Sequence, residues 1–219
     1  MAKENSKTAG SDITTERPRE RIVACAQDLF HRHGIRGVGV ETIAEAAGTN
    51  KMTLYRHFGS KDALVCEYLS RKGRKSDEIW SDIEAANPGD PVGQLYGYIG
   101  RVAKFIAEDE RGCDLANAAV ELTEEGHPGL KVIEAFKKRQ RDQLARLCGA
   151  AGASQPGLLA DAIVLLIEGA RVSRRSVGTG GPSASLVRTS EAVIASFGVP
   201  VRDRRRSRQR AARRPSRGV

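Results

Sequence analysis

Aromatic side chains make up only 5% of this 219-residue chain, and tryptophan occurs once. No apolar run approaches the roughly eighteen residues that a membrane-spanning helix needs, which argues against a transmembrane role. The opening stretch MAKENSKTAGSDITTERPRE has no apolar core after its first lysine. It therefore does not read as a secretory leader, and the expected location is the cytoplasm. Four cysteines, Cys25, Cys66, Cys113 and Cys148, are widely spaced without a CxxC pair, which argues against a disulfide framework and a zinc finger. His31, His33, His57 and His127 form no HExxH pattern, so no metal or other cofactor is assigned. Phosphate-loop signals are missing too: GIRGVG lacks the GxGxxG order and follows a helical segment, and GTGGP carries no lysine. Glu41 and Glu45 lie four apart on one short segment, where paired carboxylates are usually just solvated. The chain does not read as an enzyme.

What is present is an ordinary globular balance, 40% hydrophobic and 29% charged, on a chain long enough to bury a core. The net charge of +9 is unevenly spread. Residues 1–75 carry fourteen Lys/Arg against nine Asp/Glu, residues 76–201 thirteen against seventeen, and residues 202–219 nine arginines against Asp203. This asymmetry suggests a front that faces a polyanion, a near-neutral body and a basic tail. The polar arm 1–16 and the tail RDRRRSRQRAARRPSRG have too little to bury and are expected to be disordered. Two roles are open to the tail: salt-sensitive, non-specific affinity for nucleic acid, or a solubilising extension.

From Pro18 the pattern becomes helical. Ile22, Val23, Ala26, Leu29 and Phe30 recur at spacings of three and four, Pro18 fits the first turn, and Gly34 ends the stripe. A second short helix is expected over Val40–Ala47 with Ile43, Ala44 and Ala47 inward, then Gly48 as a left-handed turn residue. A third runs from Lys51 to Phe58, its Leu54 and Phe58 turned to the core. Ser60 is placed to cap a long fourth helix. Two helices joined by a short glycine-bearing turn describe a helix-turn-helix, and a short helix held away from its body fits a major groove about 12 Å wide. Further helices are expected near 91–109, 113–123, 129–148, 157–174 and 183–198, nine in all, with no sustained strand alternation and no internal repeat.

The run ETIAEAAGTNKMTLYRHFGSKDAL, residues 41–64, preceded by the Ile22–Phe30 stripe and GIRGVG, resembles the TetR family of transcriptional repressors. RGCDLANAAVEL, residues 111–122, is similar to that family's sixth helix. The resemblance implies an all-α, nine-helix homodimer. It divides the chain into an arm 1–16, a helix-turn-helix domain 17–60, an effector-binding and dimerisation domain 61–201, and the tail 202–219. It places Lys51, Met52, Thr53, Tyr55 and His57 facing DNA and gives Lys61 a phosphate contact. The sequence departs from the family pattern at Gly39, where Thr or Ser is common, and at Met52, where a small residue is usual.

Each residue also has a plainer reading. Lys51, Arg56 and Lys61 surround a short exposed helix, which favours phosphate or base contact over an idle solvated face. The Tyr55 hydroxyl suits a phosphate, but its ring also suits packing. Thr53 offers a hydroxyl and a methyl to a groove, and His57 fits either a phosphate or a cap. Trp80, Tyr98, Phe105, Cys113, Asn117 and Phe136 lie in the helices that surround the family's ligand cavity, though aromatics at helical spacing also build cores. Cys113, close to Arg111, is either an oxidant sensor or an inert buried thiol.

The segment from Leu158 to Ala170 is apolar over most of a helical circumference, and Leu186, Val193, Ile194 and Phe197 add a second stripe, so dimerisation is expected. The expected function is a ligand-responsive repressor on a palindromic operator, with a small-molecule effector as its other partner. The alternative is a non-specific or architectural nucleic-acid-binding protein acting through the Arg-rich tail.

Overall fold

The computed structural model describes residues 17–201 apart from residue 110, so the arm 1–16 and the tail 202–219 lie outside the described residues. The described residues form nine α-helices and one 3-10 turn, with no strand.

Helix α1, Pro18–His33, buries Ile22, Val23, Ala26 and Phe30 and closes on Gly34, whose N–H returns to the Phe30 carbonyl at 2.9 Å. Helix α2, Val40–Ala46, starts at Gly39 without a side-chain cap, the consequence of having no hydroxyl there. Its inner face is Val40, Ile43 and Ala44, followed by buried Ala47. Gly48, at φ 61°, then reverses the chain, and the Thr49 N–H reaches back to the Ala44 carbonyl at 2.9 Å. A β-carbon is disfavoured in that left-handed conformation. Helix α3, Lys51–Phe58, begins at Asn50, whose Oδ1 accepts the Thr53 N–H at 2.9 Å. Ser60 Oγ accepts the Ala63 N–H at 3.0 Å and opens α4, Lys61–Ala86, as the Ser60 cap predicts.

Helices α5, Pro91–Glu108, α6, Asp114–Glu121, α7, Pro128–Ala150, α8, Pro156–Val177, and α9, Leu186–Ser196, complete the chain. Four of these begin within two residues of the expected positions. The last does not: a helix is expected from 183, but Pro182–Ser185 winds as a 3-10 turn and the α-helix starts at Leu186. Pro182, lacking an N–H, follows Gly178, Gly180 and Gly181, so the chain enters this segment with little to nucleate an α-turn.

Two apolar cores share one helix. Leu64, Val65, Tyr68 and Leu69 of α4 pack with α1, α2 and α3, while Trp80 and Ile83 pack with α5, α7, α8 and α9. Leu115 and Ala118 of α6, with Leu122 after it, and Ile133 and Phe136 of α7 belong to the first core. The helix-turn-helix is thus roofed by elements that lie far along the sequence. Midway along α4, Gly73 is buried against Phe136: a β-carbon there would stand 3.1 Å from the Phe136 ring. His127 fixes the α6–α7 turn. Its Nδ1 accepts the Gly129 N–H at 3.0 Å, leaving Nε2 3.4 Å from Asp62 at the start of α4.

On α8, Leu159, Ile163, Ile167 and Ala170 are buried, while Leu158 and Leu165 stand 55% and 73% exposed. Leu165 and Leu166 line an apolar groove of about 610 Å³ with Leu186 and Val193. One side of the helix fills its own core and the other remains open.

Candidate functional site

Leu54 anchors α3 from below, fully buried, while Met52 is 77% exposed on the opposite side. Lys51, Arg56 and His57 are exposed; Thr53 and Tyr55 are half-buried, and Tyr55 packs on the first core. Phe58, expected in the core, is half-buried, with the Arg19 guanidinium 5.0 Å from its ring centre and the His57 ring edge-on at 6.4 Å. Lys51 Nζ lies 2.5 Å from Glu41 Oε1 on α2 and 5.8 Å from the Tyr55 ring. The hydrogen bond from Lys51 holds the Glu41 carboxyl below its ordinary range, and Glu41 in turn raises Lys51. Lys61 differs from the other candidates. Its Nζ donates to the Ile35 carbonyl at 2.7 Å, and partial burial lowers its pKa against the opposing charges of Asp62 and Glu121. A phosphate contact by Lys61 requires its ammonium to leave that carbonyl.

Sequence reading missed Asn50 as a cap and took Glu41 for a solvated carboxylate, not a partner of Lys51. Asn50 carries a recognisable signal, a capping residue just before a helix. The pairing of Glu41 with Lys51 carries none, because ten residues of chain separate them. Glu41 must release Lys51 before that cation reaches a phosphate. Glu41→Gln is therefore expected to tighten binding to duplex DNA by about threefold at low salt, an advantage that shrinks as salt rises. Fluorescence anisotropy across a salt series measures it; weaker binding by the variant would count against this role for Lys51.

A second feature is a cavity of about 270 Å³ bounded by α4, α5, α7, α8 and the start of α6. Trp80, Tyr98, Phe105, Cys113 and Phe136 all line it. The Trp80 and Tyr98 rings stack 4.4 Å apart at 13°, and burial pushes the Tyr98 phenol up to about 12. Asn117, expected with them, lies elsewhere. It lines a separate depression of about 330 Å³ between the end of α1 and α6, and its Nδ2 donates to the Arg111 carbonyl at 2.8 Å. The short α6 presents Cys113 and Asp114 to the cavity at its start, and its next turn carries Asn117 round toward α1.

A family profile for bacterial regulatory proteins of the tetR family matches residues 22–68, from α1 into the first part of α4. The uncharacterized HTH-type transcriptional regulator Rv1255c of Mycobacterium tuberculosis is 39% identical over 61 residues, 28% of this chain and 30% of that protein. The HTH-type transcriptional repressor SCO4008 of Streptomyces coelicolor is 32% identical over 92 residues, covering 42% of this chain and 44% of the relative. The matches thus span less than half the length of these relatives. The TetR-family regulator SCO4454 of Streptomyces coelicolor superposes with a TM-score of 0.75 over 82% of this chain and 95% of its own, at 24% identity, a likeness of fold. The helix-turn-helix domain of this chain belongs to the TetR family. That family is one of bacterial regulatory proteins, and among the described residues no helix is long and apolar enough to cross a membrane.

In this chain the helix-turn-helix domain is tied to the body by a polar joint. Asp114 at the start of α6 accepts from His31 Nδ1 on α1 at 2.6 Å and pairs with Lys72 Nζ on α4 at 2.6 Å. Arg111 donates to the His31 carbonyl. At the other end of α6, Glu121 Oε2 accepts the Ile35 N–H at 2.6 Å and the Arg36 N–H at 3.2 Å. Asp114 lines both the cavity and the α1–α6 depression. Burial alone would raise its pKa; the hydrogen bonds from His31 and Lys72 outweigh that and hold it below the ordinary carboxylate value.

Proposed function

We propose that this chain is a ligand-responsive repressor. A homodimer joined through α8 and α9 binds an inverted-repeat operator with its two α3 helices, and a small molecule in the α4–α8 cavity releases it. The observation that carries the reading is α3 itself: Leu54 is its single fully buried anchor, while Lys51, Met52, Arg56 and His57 face outward. Thr53 and Tyr55 at its flank suit groove and phosphate contacts. Two such helices related by a twofold axis read half-sites about 34–36 Å apart. The SCO4008 relative is named a repressor, which supports the sense of regulation. An effector shifts the equilibrium only by its difference in affinity between the two states, about 5.5 kcal/mol to move a population from 1:99 to 99:1.

Selection of bound fragments from random duplex DNA tests the reading. The expected product is an inverted repeat with that spacing. Lys51→Ala is expected to weaken binding to the recovered site and reduce the slope of affinity against salt by about one phosphate contact. A chain truncated after Val201 is expected to keep sequence-specific binding. Sequence-indifferent binding that disappears with the tail would overturn the proposal in favour of a basic nucleic-acid-binding protein.

A further inference from the structure

The cavity invoked for the effector has a chemistry of its own, and the inference rests on that assignment. Its charged lining is unevenly matched. Lys72 Nζ sits 2.6 Å from Asp114 and Lys137 Nζ 2.5 Å from Glu168, so both cations already face a carboxylate. Asp109 accepts the Arg111 N–H at 2.9 Å and stands 3.7 Å from His31 Nε2. Lys75 on α4 also lines the cavity but is exposed to solvent, whereas Arg171 on α8 is half-buried. Among the described residues no carboxylate or hydrogen-bond acceptor meets its guanidinium, and its Nε is shut off from solvent without a partner. Its charge reaches Tyr98, where it opposes the effect of burial on the phenol.

A guanidinium N–H shut off from water without gaining an acceptor is costly, so an anion that docks there gains more than it would at an open surface. The rest of the wall is apolar and largely aromatic, with Trp80, Tyr98, Phe105 and Phe136 around the same space. A volume of about 270 Å³ is small for a ligand pocket, which selects a compact molecule over a long acyl chain. Aromatic walls alone would also suit an organic cation. The uncompensated charge of Arg171 opposes that choice.

We infer that the effector is a small aromatic carboxylic acid, its carboxylate held by Arg171 and its ring laid against the wall of Trp80, Tyr98, Phe105 and Phe136. The planar fork of the guanidinium can take both carboxylate oxygens, a geometry that a lysine ammonium does not reproduce.

The test titrates the full-length protein by calorimetry with phenylalkanoates from phenylacetate to 5-phenylpentanoate, each beside its amide and the matching amine. At least one acid should bind, about tenfold or more tighter than its amide, with the amine weaker still. Arg171→Met should bring that acid down to its amide while leaving affinity for the selected operator unchanged; Arg171→Lys should fall between. If the methionine variant does not fold, the lysine variant carries the comparison. Binding of amide or amine as tight as the acid, no binding by any acid, or a preference that survives both substitutions overturns the inference. Acid binding that leaves operator affinity unaltered would uphold the ligand class while overturning the ligand-responsive repressor, so the two claims fail separately.

Discussion

Leu165→Glu is expected to leave each subunit folded, abolish the proposed dimer, and weaken operator binding by at least about a hundredfold. Leu165 is 73% exposed on α8, beside the apolar groove that α8 shares with α9. In an isolated subunit the new carboxylate points into water, so the melting transition should move little. In a helix pair formed across this face the same carboxylate is buried without a cation, which costs several kcal/mol. Loss of the second half-site contact removes the gain from linked binding, about 10²- to 10⁴-fold. Sedimentation at micromolar concentration and anisotropy on a two-half-site duplex measure the two effects. A variant that remains dimeric would rule out α8 and α9 as the paired surface.

Asp114→Ala is expected to destabilise the protein by about 2–3 kcal/mol at pH 7. The side chain is only 11% exposed and holds His31 and Lys72 together. Its removal leaves two partly buried donors unmatched, and their remaining exposure, 28% and 29%, keeps the loss below that of a fully buried pair. The pH dependence has a definite sign. The folded-state pKa of Asp114 is depressed, so its contribution is present above the unfolded value of about 3.9 and is lost as pH falls through the lower folded value. Urea titrations of wild type and variant should therefore differ at pH 7, begin to draw together at about pH 4, and converge only below the depressed folded value. A gap that persists in acid would mean that Asp114 acts through packing rather than through its charge.

Most of the helix-turn-helix was readable from the residues because its signals are local. Gly48, Asn50 and Ser60 act within three or four positions, and the Ile22–Phe30 stripe needs only helical periodicity. The cavity was readable as a region through Trp80, Tyr98, Phe105, Cys113 and Phe136, but its charged lining was not. Lys72, Lys137 and Arg171 look like ordinary surface positions until α4, α7 and α8 bring them to one rim. Asn117 went astray for a related reason: membership of α6 was legible, but the side of that short helix turned to the cavity depends on how α6 seats against α1. Periodicity likewise marks Leu115, Ala118 and Leu122 as a core face without saying which of two cores receives it.

The absent side chain at Gly73 sets how strain travels through the molecule. With no β-carbon to yield, the Phe136 ring bears directly on the backbone of a helix that runs unbroken for 26 residues, about 39 Å. A guest that shoves this ring pushes on a stiff shaft near its midpoint, and a tilt of about five degrees swings its end by roughly 3 Å, enough to spoil the fit of a side chain to a base edge.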